Sequence, residues 1–453
     1  MEYLGLKKKA CSLQNTSKVV FLVLLTAVPV YHTLLAPFAW NAFGQSSPLL
    51  PPQTSSALPR SSSPLSSSWS LDEVGKSSVT ITSVASPAGH NANDESSMDV
   101  VMTRSDKRCN IFKGEWVRNP EAPYYTNTTC LAISDRQNCM KHGRPDMDFL
   151  KWRWKPNGCD LPIFNAVHFL ELVRGKSMAF VGDSLARNHM QSLICLLSKV
   201  GYPEDQSNSP DDRFKHLFYK SYNFTLASFW SPHLVRTKEA DQPLDVTKVY
   251  LDKPDDKWMA QINQFNYVII SAGHWFFHPL IFYEGNRIVG CHGCSQKNVP
   301  DWTMDYGYRK ALRTAFRAMK SDSTSKSNRR TVFLRTFSPA HYENGMWNHG
   351  GRCGWARPLK SSKTRLEGSD MGLYIAQLKE FKVAKKKGRS RGLNYRLLDT
   401  TKAMLMRPDG HPGPYGHPRA ENYPYHDCSH WCLPGPIDAW NDFLLHMMKM
   451  DGG

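Results

Sequence analysis

The pattern of apolar and polar positions divides the chain into four parts. Residues 19–40 form an uncharged, mainly apolar run. At about 1.5 Å per residue, a helix of this length reaches ~33 Å, enough to cross a hydrocarbon core of about 30 Å. The run is preceded by four lysines, Lys7, Lys8, Lys9 and Lys18. The first basic residue after it is Arg60. Because positive charge stays cytoplasmic, we predict a cytosolic N-terminus at 1–18, a single-pass signal anchor at 19–40 and a lumenal remainder.

A cleaved signal peptide is the alternative for this segment. The apolar run is longer than a typical h-region of about 7 to 15 residues, and no clear A-x-A site follows it, so we expect a retained anchor. The next segment, 41–106, is rich in Ser and Pro and almost free of aromatic residues after Phe43. It cannot bury enough apolar surface to offset its chain entropy, which predicts a disordered stem.

Residues 107–453 are dense in Trp, Tyr, Phe and Cys, as expected of a globular lumenal domain. Short apolar runs with β-branched or aromatic residues occur there at 177–181, 267–271, 331–337 and 395–398. They alternate with helix-like segments at 185–200, 308–320 and 373–382. This alternation predicts an α/β fold with a mostly parallel sheet and helices on both faces.

The formal net charge is +17, which would suit a nucleic-acid partner. A lumenal domain does not meet nucleic acid, so we interpret the excess as a solvated basic surface, including the run at 385–391. We expect no nucleic-acid partner.

The chain has eleven cysteines, and all but Cys11 follow the predicted anchor. Since the secretory lumen is oxidising, these ten are expected to form disulfides. Cys291 and Cys294 form a single C-x-x-C, and the others are too scattered for a zinc site, so no metal is expected. Spacing alone leaves the connectivity open. Two sequons, at Asn127 and Asn223, predict N-glycosylation.

The run at 177–181 ends in Gly182-Asp183-Ser184, where a helix-like stretch begins. A serine between strand and helix lies at the carboxyl edge of the sheet, where open α/β folds bind ligands. Backbone N–H groups and the helix dipole can stabilise negative charge there. An ordinary N-cap turn explains the tripeptide equally well if nothing else accompanies it.

Asp427 and His430 supply what an acyl-transfer site would also need. With two residues between them, one carboxylate and one imidazole can share a loop, so that Asp427 bonds one ring nitrogen and the other faces Ser184. The alternative is that both are ordinary loop residues, since 17 histidines offer other candidates.

Long blocks around these residues resemble a known family. Residues 181–188 read VGDSLARN and residues 427–435 read DCSHWCLPG. They are similar to the G-D-S and D-x-x-H blocks of plant trichome birefringence-like proteins, which are polysaccharide O-acetyltransferases. The resemblance extends from about residue 109, with CNIFKGEW at 109–116, to about 448. The segments PEAPYY at 120–125 and KWRWKP at 151–156 are most similar to the xyloglucan O-acetyltransferase branch.

The resemblance implies an SGNH-hydrolase-like fold, a Ser184–His430–Asp427 triad and an anchor in the Golgi membrane, as in a type II protein. It also implies four disulfides: Cys109–Cys159, Cys130–Cys195, Cys139–Cys432 and Cys353–Cys428. Two of these would hold the loop around His430.

The oxyanion donors do not follow the SGNH pattern. The block that should supply an Asn reads SAGHW at 271–275, so that His274 stands in its place after Gly273. The Ser184 N–H is one candidate donor. The other oxyanion or substrate candidates are Gly182, Asp183, Arg187, Asn188, Gly273 and His274. Arg187 could equally be a helix surface residue and His274 a packed side chain.

These features predict a polysaccharide O-acetyltransferase that works through an acetyl-serine intermediate, without a bound metal or organic cofactor. The expected acceptor is xyloglucan, with xylan, mannan or pectin as alternatives. The donor is either acetyl-CoA or another carrier, for which membrane proteins that supply acetyl groups would be partners. An SGNH acetylesterase and a non-catalytic wall-polymer binding protein are the competing interpretations.

Overall fold

The computed structural model describes residues 109–238, 246–319, 330–418 and 425–452. All belong to one compact unit, Ser96–Gly453. The predicted cytosolic segment, anchor and stem lie outside the described residues. Within the described part, no helix is both long and apolar enough to cross a membrane.

The core of this unit is a seven-stranded sheet. Its strands are β3 (Ser177–Gly182), β4 (Glu204–Asp205), β5 (Phe214–Tyr219), β6 (Phe224–Trp230), β9 (Tyr267–Ser271), β12 (Arg330–Arg335) and β13 (Leu393–Leu398). Their spatial order is β13-β12-β9-β3-β6-β5-β4. The first five are mutually parallel, and β5 and β4 extend the sheet in antiparallel pairing. The predicted α/β class is therefore confirmed.

Seven α-helices accompany the strands in the described part of the chain. They are α1 (Ala166–Leu172), α2 (Ser184–Leu197), α3 (Asp256–Met259), α4 (Met304–Ala318), α5 (Gly368–Gly388), α6 (Thr401–Leu405) and α7 (Asp438–Gly452).

The two faces of the sheet bury different helices because side chains alternate along a strand. On β3, Ala179 and Val181 pack into the cluster formed with α4 and α5. Met178 and Phe180 pack on the other face, against α1, α2 and α7. Both faces are thus covered, as the apolar runs of the parallel strands require.

A second sheet and a hairpin complete the unit. The four-stranded sheet consists of β7 (Val235–Lys238), β8 (Thr247–Pro254), β10 (Leu280–Glu284) and β11 (Arg287–His292), in the order β11-β10-β8-β7. The hairpin pairs β1 (Gly114–Arg118) with β2 (Trp152–Pro156). Trp116 Nε1 donates to the Ala403 carbonyl at 2.8 Å, which joins the hairpin to α6. The sequence patterns did not predict either element.

Element boundaries differ from those predicted by a few residues, except for β9, which agrees. The helix expected at 185–200 begins at Ser184 and ends at Leu197, and the strand expected at 331–337 ends at Arg335. The largest correction is α5, which runs from Gly368 to Gly388 rather than over 373–382. Its last turn carries Lys385, Lys386 and Lys387, all exposed.

Five disulfides staple the domain. Four are the pairs that the family resemblance implied: Cys109–Cys159, Cys130–Cys195, Cys139–Cys432 and Cys353–Cys428. The fifth joins Cys291 to Cys294 within the C-x-x-C segment. Of the two sequon asparagines, Asn223 is exposed and Asn127 half-buried.

Candidate active site

Ser184 lies at the carboxyl edge of the sheet because of a tight turn after β3. Gly182 has φ +154°, and a Cβ there would lie 1.8 Å from the Ser271 carbonyl oxygen, so the close contact with β9 requires glycine. Asp183 then caps α2 by accepting a hydrogen bond from Leu185 N at 3.0 Å. Ser184 is the first residue of the helix, a position where the N–H has no intrahelical acceptor.

A short loop before α7 brings a histidine and a carboxylate to this serine. His430 Nε2 lies 2.6 Å from Ser184 Oγ, and His430 Nδ1 lies 2.7 Å from Asp427 Oδ2. The other carboxylate oxygen, Oδ1, accepts from Ser429 N at 3.1 Å and His430 N at 3.0 Å. The carboxylate therefore orients the ring and also folds the loop that carries it.

Two disulfides and two hydrogen bonds fix the loop from outside. Cys428 is bonded to Cys353 and Cys432 to Cys139. Between them, Trp431 N donates to Asn188 Oδ1 at 2.8 Å, and Asn188 Nδ2 donates to Trp431 O at 3.2 Å. Asn188 is on the second turn of α2, so the helix that presents Ser184 also holds the loop that presents His430.

The pair of Asp427 and His430 is strongly polarised. Burial alone would raise the pKa of Asp427, but the charge and hydrogen bonds of His430 and its loop lower that pKa below its usual range. Burial alone would lower the pKa of His430, but Asp427 outweighs it, so the pKa lies above its ordinary value. Such a ring is a stronger base than an isolated imidazole.

The structure separates the remaining site candidates. Asp183 is fully buried, caps α2 and accepts a hydrogen bond from His274 N at 3.3 Å, so it does not face a substrate. Asn188 is also buried and its amide is used by Trp431. The polar atoms of these two residues are bonded to partners inside the fold, so their candidate role as oxyanion or substrate ligands stays a prediction without support from their contacts.

The charge of Arg187 acts on His430, and His274 contacts Asp183, the residue before Ser184. Arg187 Nη1 pairs with Asp212 at 3.0 Å, its guanidinium lies 5.0 Å from the Trp230 ring, and its Nε has no hydrogen-bond partner among the described residues. The His274 ring stacks on Phe337 with a 4.6 Å centroid separation. Its Nδ1 lies 3.8 Å from Asp183 Oδ2, so the ring faces that buried carboxylate. Gly273 precedes this histidine at the end of β9, with φ +154°.

Arg335 was not anticipated from the sequence. It is fully buried below the turn, and its Nε and Nη2 donate to Ser271 Oγ at 2.9 and 2.7 Å. Burial would raise the pKa of Asp183, but His274 and Arg335 together lower it. An arginine inside an apolar strand run was the only sequence signal for this charge.

No cluster of three or more His, Cys, Asp or Glu side chains able to hold a metal ion occurs among the described residues. A serine with a 2.6 Å contact to an Asp-oriented imidazole is the geometry of nucleophilic acyl transfer.

The fold and this site define an SGNH-like α/β protein of the acyl-transfer type. The chain belongs to the GDSL/SGNH-like acyl-esterase family found in Pmr5 and Cas1p, whose model matches residues 161–447. The model of the PMR5 N-terminal domain matches the preceding residues, 107–160.

Curated plant relatives align over most of the chain. Protein trichome birefringence-like 19 of Arabidopsis thaliana is 56% identical over 358 residues, 78% of this chain and 83% of the relative. Xyloglucan O-acetyltransferase 4 of Populus trichocarpa is 41% identical, covering 76% of this chain and 82% of its own. Xyloglucan O-acetyltransferase 1 of Arabidopsis thaliana is 38% identical, covering 82% and 87%. The resemblance inferred from the sequence blocks is confirmed.

Proposed function

We propose that this chain is a polysaccharide O-acetyltransferase whose acceptor is xyloglucan and whose nucleophile is Ser184. The observation that carries the proposal is the continuous contact from Ser184 Oγ through His430 to Asp427, with distances of 2.6 and 2.7 Å. The names of the xyloglucan O-acetyltransferase relatives support the acceptor.

The reaction has two half-reactions. Ser184 Oγ attacks the acetyl carbonyl carbon while His430 Nε2 takes the hydroxyl proton, and the bond to the donor breaks as His430 returns the proton to the leaving group. The product is acetyl-Ser184. A sugar hydroxyl then attacks the same carbonyl carbon, His430 takes its proton, and Ser184 Oγ leaves and is reprotonated. Asp427 stabilises the imidazolium in both halves.

We assign oxyanion stabilisation to the Ser184 N–H and to Arg187. The N–H is at the start of a helix, where the dipole favours negative charge. Arg187 lies one helical turn after Ser184. Its positive charge acts on His430, where it offsets a part of the rise in pKa that Asp427 causes. His274 stays a further candidate because its backbone N–H and its ring Nδ1 both lie against Asp183, the residue before Ser184.

A row of aromatic rings supports a sugar acceptor. It consists of Trp230, Trp275, His278 and Trp347, hereafter the aromatic row. Neighbouring ring centroids are 5.4, 5.0 and 5.1 Å apart along the row, and Arg187 lies against its first ring. Aromatic rings offer apolar faces on which sugar rings can stack.

The cellular setting is part of the same proposal. We place the chain in the Golgi membrane with residues 19–40 as the anchor, on the charge asymmetry around that run. Asn127 and Asn223 would then be glycosylated in the lumen. The acetyl donor is acetyl-CoA or a carrier loaded by membrane proteins. Digestion of the C-terminus by protease in intact microsomes would overturn this orientation.

The main test incubates the purified full-length chain with isotope-labelled acetyl-CoA and deacetylated oligosaccharides of xyloglucan, xylan, mannan and pectin. Acetyl gain on xyloglucan alone is expected, as is a labelled acetyl group on the Ser184 peptide when acceptor is omitted. Acetylation of another glycan alone would replace the acceptor. Release of free acetate without transfer to any sugar would favour the acetylesterase alternative.

A further inference from the structure

Two histidines that the mechanism does not use lie behind the loop that carries the proposed base. His411 follows the short 3-10 turn Pro408–Gly410 and is 4% exposed. His341 is in the segment after β12. His411 Nε2 lies 2.7 Å from His341 Nδ1, and His411 Nδ1 lies 2.6 Å from the main-chain oxygen of His430. The remaining nitrogen, His341 Nε2, lies 3.2 Å from Leu405 O.

The number of protons decides how this chain of contacts is arranged. Burial lowers the pKa of His341 to about 4 and that of His411 well below its ordinary value, so at neutral pH each ring carries one proton. Three contacts therefore share two protons. One of the three must bring two unprotonated acceptors together.

Only one distribution of the two protons places the two unprotonated acceptors at the longest of the three contacts. If His411 carried its proton on Nε2, its bare Nδ1 would face a carbonyl oxygen at 2.6 Å. If His341 carried its proton on Nε2, its bare Nδ1 would face the bare Nε2 of His411 at 2.7 Å. With both protons on Nδ1, the two short contacts are hydrogen bonds, and the bare nitrogen lies at the 3.2 Å contact with Leu405 O.

We infer that His411 is a positioning residue for the acyl-transfer reaction, donating its Nδ1 proton to the His430 carbonyl, and that His341 fixes this tautomer by donating its own Nδ1 proton to His411. The inference rests on the proposed function, because it assigns His430 the role of base. A hydrogen bond to the main chain of His430 limits rotation of the peptide on which the imidazole is mounted.

The surroundings hold both rings in place. The His411 ring stacks on Trp431 at 4.1 Å, and Arg144 Nη1 donates to the His411 carbonyl at 2.8 Å. His341 N donates to Cys428 O at 3.0 Å, which ties its segment to the same loop. Arg144 faces the pair from the N-terminal part, while Asp427 and His430 face it from the catalytic loop. The pair therefore acts on a loop that is otherwise held at Asn188 and at two disulfides.

The test measures the reactivity of Ser184 with a fluorescent alkyl phosphonate, which reports on the serine and its base without an acetyl donor or an acceptor. His411→Phe keeps a ring on Trp431 but has no donor. His411→Asn places an amide N–H near the former Nδ1. We expect labelling to slow about 10–100-fold in H411F, the range for a base displaced by a fraction of an ångström to 1 Å. We expect H411N to recover a substantial part of the rate.

The outcomes are separable. Equal labelling of H411F and wild type would overturn this inference alone. H411N as slow as H411F, at equal melting temperature, would also overturn it, because a donor restored at this position would then not restore the rate. Failure of the wild-type chain to label at Ser184 would overturn both this inference and the proposed nucleophile.

A second measurement reads the two tautomers directly in the wild-type chain. In the chain labelled with ¹⁵N-histidine, chemical shifts distinguish protonated from bare ring nitrogens. Protonated Nδ1 and bare Nε2 are expected on both rings at neutral pH, assigned by the loss of signals in H341F and H411F. A proton on Nε2 of His411 would overturn the assignment.

Discussion

Ser184 differs from the other serines of the chain only in what surrounds it. Its Oγ lies 2.6 Å from His430 Nε2, at the first residue of α2, so it has both a base and an unpaired backbone donor. Replacement of Ser184 by Ala should therefore abolish most turnover. Ser198→Ala is the matched control, since this hydroxyl follows the last turn of the same helix and donates to Cys195 O at 2.8 Å. Acetyl transfer to xyloglucan oligosaccharides is the measurement, and a folded Ser184→Ala chain with normal activity would contradict the mechanism.

The pH dependence follows from the charge on His430. A protonated ring cannot accept the Ser184 proton, so activity should fall as pH decreases through the raised pKa of His430. Asp427 is what raises that pKa. In Asp427→Asn the acid limb of the kcat/KM profile should shift to lower pH, while the maximum rate falls because the ring loses its orienting carboxylate. An acid limb that stays where it is in the variant would show that another group titrates.

The sequence predicted those site residues that lie close to one another along the chain. Gly182, Asp183 and Ser184 are consecutive, and Asp427 is three residues from His430, so their spacing carries the geometry. His341 and His411 are 70 positions apart, and Arg335 is 64 from Ser271. Those contacts depend on which strands become neighbours, which no local pattern specifies.

At the scale of elements, the loop from Asp427 to Cys432 is short and irregular, yet it must hold one imidazole to a fraction of an ångström. The Cys353–Cys428 disulfide joins it to a segment 75 positions away. Its pairing was inferred from the family resemblance, because spacing among ten cysteines leaves many connectivities. The long separation means that the bond restricts the unfolded chain as well as the native loop.

Removing this disulfide should affect activity more than the fold. We expect the double variant Cys353→Ala, Cys428→Ala to lose roughly tenfold or more in kcat at temperatures where it remains folded, since a mobile loop misplaces the base. The control is Cys291→Ala, Cys294→Ala, which opens a disulfide of sequence separation 3 in the second sheet. Kinetics at a temperature below both melting transitions check this. An equal loss of kcat in the two double variants would contradict the role of Cys353–Cys428 in holding the loop.

The aromatic row is a prediction about acceptor binding. Trp347 is 42% exposed and contacts His278, whereas Trp355 is equally exposed and has no ring contact with the row among the described residues. Trp347→Ala should raise KM for the oligosaccharide roughly 5–30-fold, as expected for about 1–2 kcal/mol of stacking. The rate of acetyl-Ser184 formation without acceptor should not change. The control Trp355→Ala should leave both quantities unaltered; a similar KM rise there would argue against the row.

Across the whole domain, the N-terminal module and the SGNH-like part are packed together rather than linked in series. Tyr125 OH donates to Asp438 Oδ1 at 2.7 Å, and Ser192 Oγ on α2 donates to the same oxygen at 2.5 Å. Cys139–Cys432 joins the module to the catalytic loop covalently. The module therefore supports the catalytic loop and α7.

This junction contains two buried carboxyl groups, Asp438 and Asp442, whose pKa values are raised by burial, and from Asp442 we predict a pH-dependent stability. Burial raises the pKa of Asp442 to about 7, and the nearby Asp438 acts in the same direction. Because the folded chain then holds the proton more tightly than the unfolded chain, stability should fall as pH rises from about 4 towards 7 and then level off.

The variant Asp442→Asn tests this prediction. Phe164 N donates to Asp442 Oδ1 at 2.9 Å, and the asparagine keeps an oxygen for this hydrogen bond while it removes the buried charge. The variant should match wild type near pH 4 and exceed it at pH 8 by about 1–3 kcal/mol. Urea unfolding of the full chain at both pH values is the measurement, and Asp160→Asn, which changes an exposed carboxylate, is the control. If the wild-type chain is as stable at pH 8 as near pH 4, and Asp442→Asn changes neither value, then Asp442 ionises in the folded domain without cost.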